Sequence, residues 1–136
     1  MKNKILVVDD NTELAEEFRE ILVSAGYEVL LVPDGMQAVY TARKIRPVLI
    51  LLDLKLKYRS GLEVATELKR RVETSGIPMI AMSGFYPEER RNWLKRFCGI
   101  SVFLKKPIDP TDLITEIERL LKEKNGKVDD IERRVL

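Results

Sequence analysis

The chain has 136 residues, of which 45% are hydrophobic and 34% are charged, and its formal net charge is +2. This length suits one domain with a two-sided core, and the balanced charge offers no footprint for nucleic acid or anionic lipid. The absence of histidine excludes histidine-ligated metals and histidine-activated nucleophiles. The single cysteine fits a reducing compartment, so we expect a cytoplasmic protein. No apolar run approaches the roughly 20 residues that span a bilayer, so we expect no membrane association.

Strand and helix patterns alternate along the chain. Short apolar runs predict five strands, at residues 5–8, 29–32, 48–52, 78–82 and 101–104. The third run has no polar alternation, which is typical of a central strand buried on both faces of a parallel sheet. Five strands alternating with five helices predict an α/β fold with a parallel sheet covered by helices on both faces.

The helices are predicted from their caps and from the spacing of apolar residues. Asn11, Asp34 and Asp109 stand where N-caps are expected, and Asp34 with Gln37 resembles a capping box. The third helix is predicted from 61 to about 74, and Pro87 suits the start of the fourth. The residues expected to face the core are Leu14, Phe18, Ile21, Leu22 and Ala25, then Ala38, Val39, Ala42 and Ile45, then Leu62, Ala65, Leu68 and Val72, then Trp93, Leu94 and Phe97, and finally Leu113, Ile114, Ile117, Leu120 and Leu121.

Polar residues follow four of the five predicted strands. Because the carboxyl ends of parallel strands open onto one crevice, these residues are expected to converge. Three carboxylates in one place repel each other, and an all-oxygen site without histidine suits Mg²⁺ better than Zn²⁺. The converging residues are Asp9 and Asp10 after the first strand, Asp53 after the third, Ser83 after the fourth, and Lys105 and Lys106 after the fifth.

These residue types match what a phosphoryl-binding site requires. A lysine and a hydroxyl can bind phosphoryl oxygens, and a carboxylate can act as a nucleophile that forms an aspartyl phosphate. Taken singly, each motif has an ordinary interpretation as a helix cap, a turn or a solvated charge. Their coincidence at four strand ends favours metal-assisted phosphorylation of an aspartate.

The same motifs carry a family resemblance. They are VVDD at 7–10, LLDL around Asp53, GLE at 61–63, AMSG at 81–84 and KKP at 105–107. With this spacing, the chain from 4 to about 124 resembles the receiver domain of two-component response regulators, the CheY-like superfamily. The resemblance implies a flavodoxin-like, doubly wound five-stranded sheet of order 2-1-3-4-5 with five helices, in a receiver domain over 1–124.

The resemblance also implies a role for each acidic residue. Asp53 takes the place of the phosphoacceptor and Asp10 that of a direct Mg²⁺ ligand. Asp9 helps to hold the metal, partly through water, and Lys55 contributes its backbone carbonyl.

Three further positions match the residues of the family that respond to phosphorylation. Ser83 takes the place of the switch hydroxyl, and Lys106 rather than Lys105 that of the lysine before a proline often in cis. Phe103, three residues earlier, takes the aromatic switch position. In the implied mechanism, movement of Ser83 vacates space for Phe103 and changes the surface of helix four, strand five and helix five.

The implied partners follow from this role. The phosphoryl donor is expected to be a sensor histidine kinase or a histidine phosphotransfer protein. The partner that recognises the phosphorylated form is expected to be a downstream protein or an output domain. The chain itself would catalyse only its own phosphorylation and dephosphorylation, as a monomer or a dimer that binds no nucleic acid.

Some positions depart from the family pattern. Lys57 stands where the family often has proline, which predicts a more mobile loop after Asp53. Lys55 places a cation beside the site. Phe85, two residues after Ser83, is bulky and predicts slow autodephosphorylation because it restricts attack by water.

We expect residues 125–136 to be a C-terminal tail or linker. Val128, Ile131 and Val135 stand at helical spacing and predict a short amphipathic helix. Such a helix would dock on a partner, mediate a dimer or open a linker. We therefore expect either a stand-alone receiver or a receiver excised from a longer regulator or hybrid kinase.

Two other functional classes remain as alternatives. A phosphohydrolase with an aspartate nucleophile usually has a second acid two residues later, where this chain has Lys55. A degenerate receiver-like binding module that is never phosphorylated would not need the full acid set of Asp9, Asp10 and Asp53.

Overall fold

The computed structural model describes the backbone of residues 3–84 and 88–135 and the side chains of residues 3–84 and 89–124. Phe85 and Pro87, which carry two of the predictions above, lie outside these ranges. The described strands are β1 (Lys4–Val8), β2 (Glu28–Val32), β3 (Leu49–Asp53), β4 (Met79–Ser83) and β5 (Val102–Lys105). The described helices are α1 (Thr12–Ser24), α2 (Gly35–Ile45), α3 (Gly61–Arg70), α4 (Glu88–Cys98) and α5 (Pro110–Val135).

The sheet has the order β2-β1-β3-β4-β5, and all four strand pairings are parallel. This confirms the doubly wound order implied by the resemblance. Every residue of the central strand β3 is buried, as its apolar run predicts. Asp53 and Ser83 are the last residues of β3 and β4, so both belong to strands that end one residue later than predicted.

Two apolar clusters cover the two faces of the sheet, because alternate residues of a strand point to opposite faces. On one face, buried residues of α2, α3 and α4 pack on Leu6, Ile50 and Ala81. On the other face, α1 and α5 pack on Val7 and Leu51. Helices on both faces leave the carboxyl edge of the sheet as the place where polar residues gather.

The predicted caps hold the helix ends. Asn11 accepts a hydrogen bond from the first turn of α1, and Asp109 does the same for α5. The Asp34 carboxylate accepts the Gln37 N–H at 2.8 Å. Arg46 adopts a left-handed φ of 47° after α2, which ends that helix just before Pro47, as predicted.

The predicted C-terminal end of the third helix is wrong. α3 ends at Arg70, and Val72, expected on its buried stripe, is 92% exposed. Thr74 is buried instead, and its hydroxyl donates to the Leu68 carbonyl at 2.6 Å. This hydrogen bond fixes a turn that carries Val72 out into solvent.

The predicted inner face of the fourth helix is also partly wrong. Leu94 is buried as expected, but Trp93 and Phe97 are 57% and 53% exposed. Cys98 packs inward one turn after Leu94, so α4 contributes only a narrow stripe to the core. Ala25, expected to face inward at the end of α1, is exposed as the residue that caps the helix.

The backbone of α5 continues as a helix through Val135. The division of the chain into a receiver domain and a tail after residue 124 stays a prediction. Over the described residues, no helix combines the length and apolar character that crossing a bilayer requires.

Candidate functional site

Three carboxylates gather at the carboxyl edge of the sheet. Asp9 and Asp10 directly follow β1, and Asp53 ends the neighbouring β3. One oxygen from each side chain lies within 4.8 Å of the others. Asp9 and Asp53 are buried and Asp10 is half-buried, so the cluster forms an acidic pocket that opens to the surface at Asp10.

Of the three aspartates, Asp9 stands in the environment that most disfavours a charged carboxylate. One of its oxygens accepts the Asn11 N–H at 2.9 Å. The other, Oδ2, is buried and accepts no hydrogen bond from the part of the chain that the structure describes. Burial, opposed by the Asn11 N–H and by Lys106 but reinforced by Asp53, raises the pKa of Asp9 from 3.8 to about 6. The protonated form can share its proton with Asp53, which raises this pKa further.

Asp53 is held by two donors. Its Oδ1 atom accepts the Lys55 N–H at 3.0 Å and lies 3.1 Å from the Lys106 ammonium nitrogen. Lys106 reaches the pocket from the end of β5, where its own N–H donates to the Ser83 carbonyl at 2.7 Å and its peptide bond to Pro107 is cis. The sheet therefore brings the predicted acceptor and the predicted lysine into direct contact.

Asp10 is bound by the loop that follows β3. Its Oδ2 atom accepts the Lys57 N–H at 3.0 Å. Proline has no N–H, so the residue that is common in the family at this position could not make this contact. The contact was missed in the sequence because a backbone amide leaves no trace in residue type.

Gly61 lies against the backbone of the acceptor. A Cβ atom on Gly61 would stand 2.4 Å from the Asp53 carbonyl oxygen and 2.6 Å from Leu54 Cα. The Gly61 N–H also donates to the Leu54 carbonyl at 3.1 Å. The start of α3 is thus pressed onto the end of β3, a contact that only glycine permits. In the sequence, Gly61 stood out only as part of a motif.

Two further predicted site residues belong to β4 and β5. Ser83 is half-buried at the end of β4, in register with Lys105. Phe103 is half-buried on β5 and packs against the apolar cluster under α2, α3 and α4. Their places agree with the family pattern, while their roles as switch residues stay predictions.

The pocket fits a hard divalent cation. The three carboxylates offer oxygen ligands only. The buried Asp9 Oδ2 atom accepts no hydrogen bond from the described residues, and a bound cation would give it a partner. Three clustered carboxylates with one lysine leave excess negative charge for a cation to neutralise. The donor set is therefore suitable for Mg²⁺.

The response regulator receiver domain family matches residues 5–118 of this sequence. The chain belongs to this family. It is 33% identical over 121 residues to the polar-differentiation response regulator DivK of Brucella anthropi, an alignment that covers 89% of this chain and 98% of that protein. The DivK protein of Brucella ovis is 32% identical over the same length.

Solved receiver structures share the fold. The CheY-like receiver domain protein of Methanospirillum hungatei superposes with a TM-score of 0.85 at 25% identity, over 93% of this chain and 99% of that one. The receiver domain of a sensor histidine kinase from Pseudomonas aeruginosa gives a TM-score of 0.81 at 29% identity, over 90% and 99%. That domain was solved with a magnesium ion coordinated in its active-site cleft.

Family membership and geometry together give the general function. The protein is a phosphorylatable receiver domain of a two-component response regulator, with an aspartate phosphorylation site and not the active site of a turnover enzyme. Asp9, Asp10, Asp53 and Lys106 form its pocket. A receiver domain implies a histidine kinase as its partner.

Proposed function

We propose that Asp53 is the phosphoacceptor and that Asp9, Asp10, Asp53 and the backbone carbonyl of Lys55 hold Mg²⁺. The observation that carries the proposal is the contact of 3.1 Å between Lys106 and Asp53 inside the carboxylate cluster. Asp53 combines a buried position, a cationic partner and a place at the open end of the central strand. The other two aspartates lack a lysine contact of this kind among the described residues.

In the proposed reaction, a carboxylate oxygen of Asp53 attacks the phosphorus of a phosphohistidine. The N–P bond breaks, an acyl phosphate forms on Asp53, and the imidazole of the donor leaves with the electron pair. Bound Mg²⁺ supplies positive charge that offsets repulsion between the phosphoryl oxygens and the pocket. The Lys106 ammonium moves its hydrogen bonding from the carboxylate to a phosphoryl oxygen, and Ser83 donates its hydroxyl to another.

Phosphorylation would then act as a switch. It places about two negative charges beside Ser83 and Lys106, which are already joined through the Ser83 carbonyl. Movement of Ser83 toward the phosphoryl group makes room for Phe103 to turn inward. The surface formed by α4, β5 and α5 changes with it and is read by a downstream protein or output domain.

The cellular setting completes the proposal. A sensor histidine kinase or a histidine phosphotransfer protein donates the phosphoryl group in the cytoplasm. The receiver works as a monomer or a dimer, and residues 125–136 act as a tail or linker.

The direct test is incubation with Mg²⁺ and acetyl phosphate, followed by intact mass spectrometry and an assay for released phosphate. A single phosphoryl adduct that Asp53→Asn abolishes and Asp112→Asn preserves supports the proposal. Continuous phosphate release without an adduct indicates a phosphohydrolase. No modification indicates a degenerate binding module.

A further inference from the structure

A groove runs between α3 and α4, outside the acidic pocket. Its volume is about 660 Å³. Its floor is apolar, with Leu62, Leu94 and Cys98 among its lining residues. At the C-terminal ends of the two helices, the Lys69 ammonium donates to the Arg96 carbonyl at 2.7 Å and joins them. The groove lies on the α3 side of α4, so it is separate from the α4–β5–α5 surface.

The walls of the groove carry an excess of positive charge. Among the lining residues whose side chains the structure describes, two glutamates face four arginines, and both oxygens of one glutamate already accept hydrogen bonds. Arg59 and Arg71 each donate to a different oxygen of Glu67, and these bonds lower the pKa of Glu67. The four arginines are Arg59, Arg70, Arg71 and Arg90, and the second glutamate is Glu63.

Arg70 is the arginine best placed to bind a partner. It is exposed on α3 and makes no ion pair with the residues described by the structure. An exposed guanidinium offers a planar fork of donors that matches a carboxylate. Positive charge in excess along the groove therefore complements an acidic ligand.

One edge of the groove carries a pair of exposed aromatic side chains. Trp93 lines the groove and is 57% exposed. Phe97, one turn later, is 53% exposed, and the two ring centroids are 4.9 Å apart. Tryptophan and arginine are the residue types that most often dominate binding energy at protein interfaces.

We propose that the α3–α4 groove binds a partner protein through an acidic segment with apolar side chains at helical spacing. The acidic side chains pair with Arg70 and its neighbours, and the apolar ones cover Trp93 and the floor at Leu62 and Leu94. An enclosed pocket would favour a small molecule, whereas an open groove between two helices suits a peptide segment. The proposal goes beyond phosphoryl transfer, because it needs neither Asp53 nor Lys106.

The test uses the fluorescein-labelled peptide EELLEELLEELLEE, with fluorescence anisotropy as the measurement. Trp93→Ala is expected to weaken binding by about tenfold or more, and Arg70→Glu by a similar factor. Tyr40→Ala removes an exposed aromatic ring from α2 and Arg19→Glu reverses an exposed charge on α1, so these matched controls are expected to bind like wild type. Acetyl phosphate should label all four variants at the wild-type rate, which separates this proposal from the phosphorylation site.

Several results would overturn the proposal. Failure of wild type to bind the peptide, or unchanged binding by Trp93→Ala, would remove the groove as a docking site. Equal binding of polyglutamate, or of the peptide with lysine in place of glutamate, would reduce it to non-specific adsorption. Self-association in sedimentation that Arg70→Glu abolishes would make the groove a contact between copies of this chain.

Discussion

The two halves of the acidic pocket differ in how firmly the fold holds them. The acidic half stands on β1 and β3, where Ile5–Val8 and all of β3 are buried. The cationic half ends on β5, a four-residue edge strand on which every residue is at least partly exposed. Asp53 is 4% exposed in its side chain, while Lys106, which contacts it, is 29% exposed.

This difference assigns separate tasks to the two halves. Moving a central strand would expose apolar surface on both faces, whereas an edge strand has only one neighbour and less buried area to lose. In the proposed function, the acidic half, called the rigid half below, therefore fixes where the phosphoryl group and the metal bind. In the proposed switch, the cationic half responds to phosphorylation and is called the responsive half below. It consists of Phe103 on the edge strand β5, Lys106 directly after that strand, and Ser83 at the partly exposed end of β4.

The largest effect is expected from Lys106→Met, which removes the charge of the responsive half. Loss of the ammonium 3.1 Å from Asp53 should slow phosphorylation by acetyl phosphate about 100-fold, because one charged donor to the developing negative charge is gone. The measurement is the initial rate of acyl phosphate formation. Lys105→Met at the exposed end of β5 is the matched control and should remain within about threefold of wild type. An equal effect of the two variants would contradict the assignment.

Gly61→Ala tests whether the backbone of the rigid half can move. The new Cβ would collide with the backbone of Asp53 and Leu54, so we expect a loss of about 1–3 kcal/mol in the free energy of unfolding together with slower phosphorylation. Urea unfolding measures the first and acetyl phosphate labelling the second. Gly76→Ala is the control, because a Cβ there meets nothing within 4 Å. Unchanged stability of Gly61→Ala would mean that the loop relaxes freely and the half is not rigid.

Asp9→Asn tests the cost of burying a charge in the rigid half. Because the pKa of Asp9 rises from 3.8 in the unfolded chain to about 6 in the fold, the folded state keeps its proton longer. Stability therefore falls as pH rises from about 4 to 6, and the full cost, of order 2 kcal/mol, is present above pH 6. Asn carries no such cost, so Asp9→Asn should be more stable than wild type at pH 7.5 without Mg²⁺ and equally stable near pH 4.

Wild type and Asp9→Asn also test whether Asp9 takes part in metal binding. Added Mg²⁺ should raise the melting temperature of wild type more than that of Asp9→Asn, because ligand binding stabilises only the state that binds. Glu13→Gln, which changes an exposed acid on α1, should follow wild type in both experiments. A stability difference that does not depend on pH would argue against a charge on Asp9 as its cause.

Ser83→Ala should have the smallest effect. Its hydroxyl is a neutral donor, and neutral hydrogen bonds are about half as strong as charged ones, so the labelling rate should fall about tenfold or less. Ser75→Ala, an exposed serine before β4, should leave the rate unchanged. If Ser83→Ala slowed labelling more than Lys106→Met, the order of importance within the responsive half would be reversed.

Much of this architecture could be predicted from local sequence. The apolar run before Asp53 identified the buried central strand, and the polar residues after the first, third and fifth strands identified the pocket. The alternation of elements indicated a parallel sheet, but the strand order came only from the family resemblance. Strand order depends on contacts between distant segments, which local periodicity does not record.

The errors have physical causes of their own. Helical spacing placed Val72 inside because the pattern contains no sign of the Thr74 hydroxyl that ends the turn by bonding Leu68. Helical spacing also predicted that Trp93 and Phe97 face inward, yet both side chains are more than half exposed, and Trp93 lines the α3–α4 groove. The contributions of Lys57 and Gly61 come from the backbone and from the absence of a side chain, and residue chemistry signals neither.

The most direct test of Asp53 as the phosphoacceptor is to trap the phosphorylated residue chemically. Borohydride reduces an aspartyl phosphate to homoserine, which peptide sequencing by mass spectrometry locates. After treatment with Mg²⁺ and acetyl phosphate, homoserine should appear at position 53 alone and should disappear when Mg²⁺ is chelated. Homoserine at position 9 or 10, or labelling that survives in Asp53→Asn, would contradict the account.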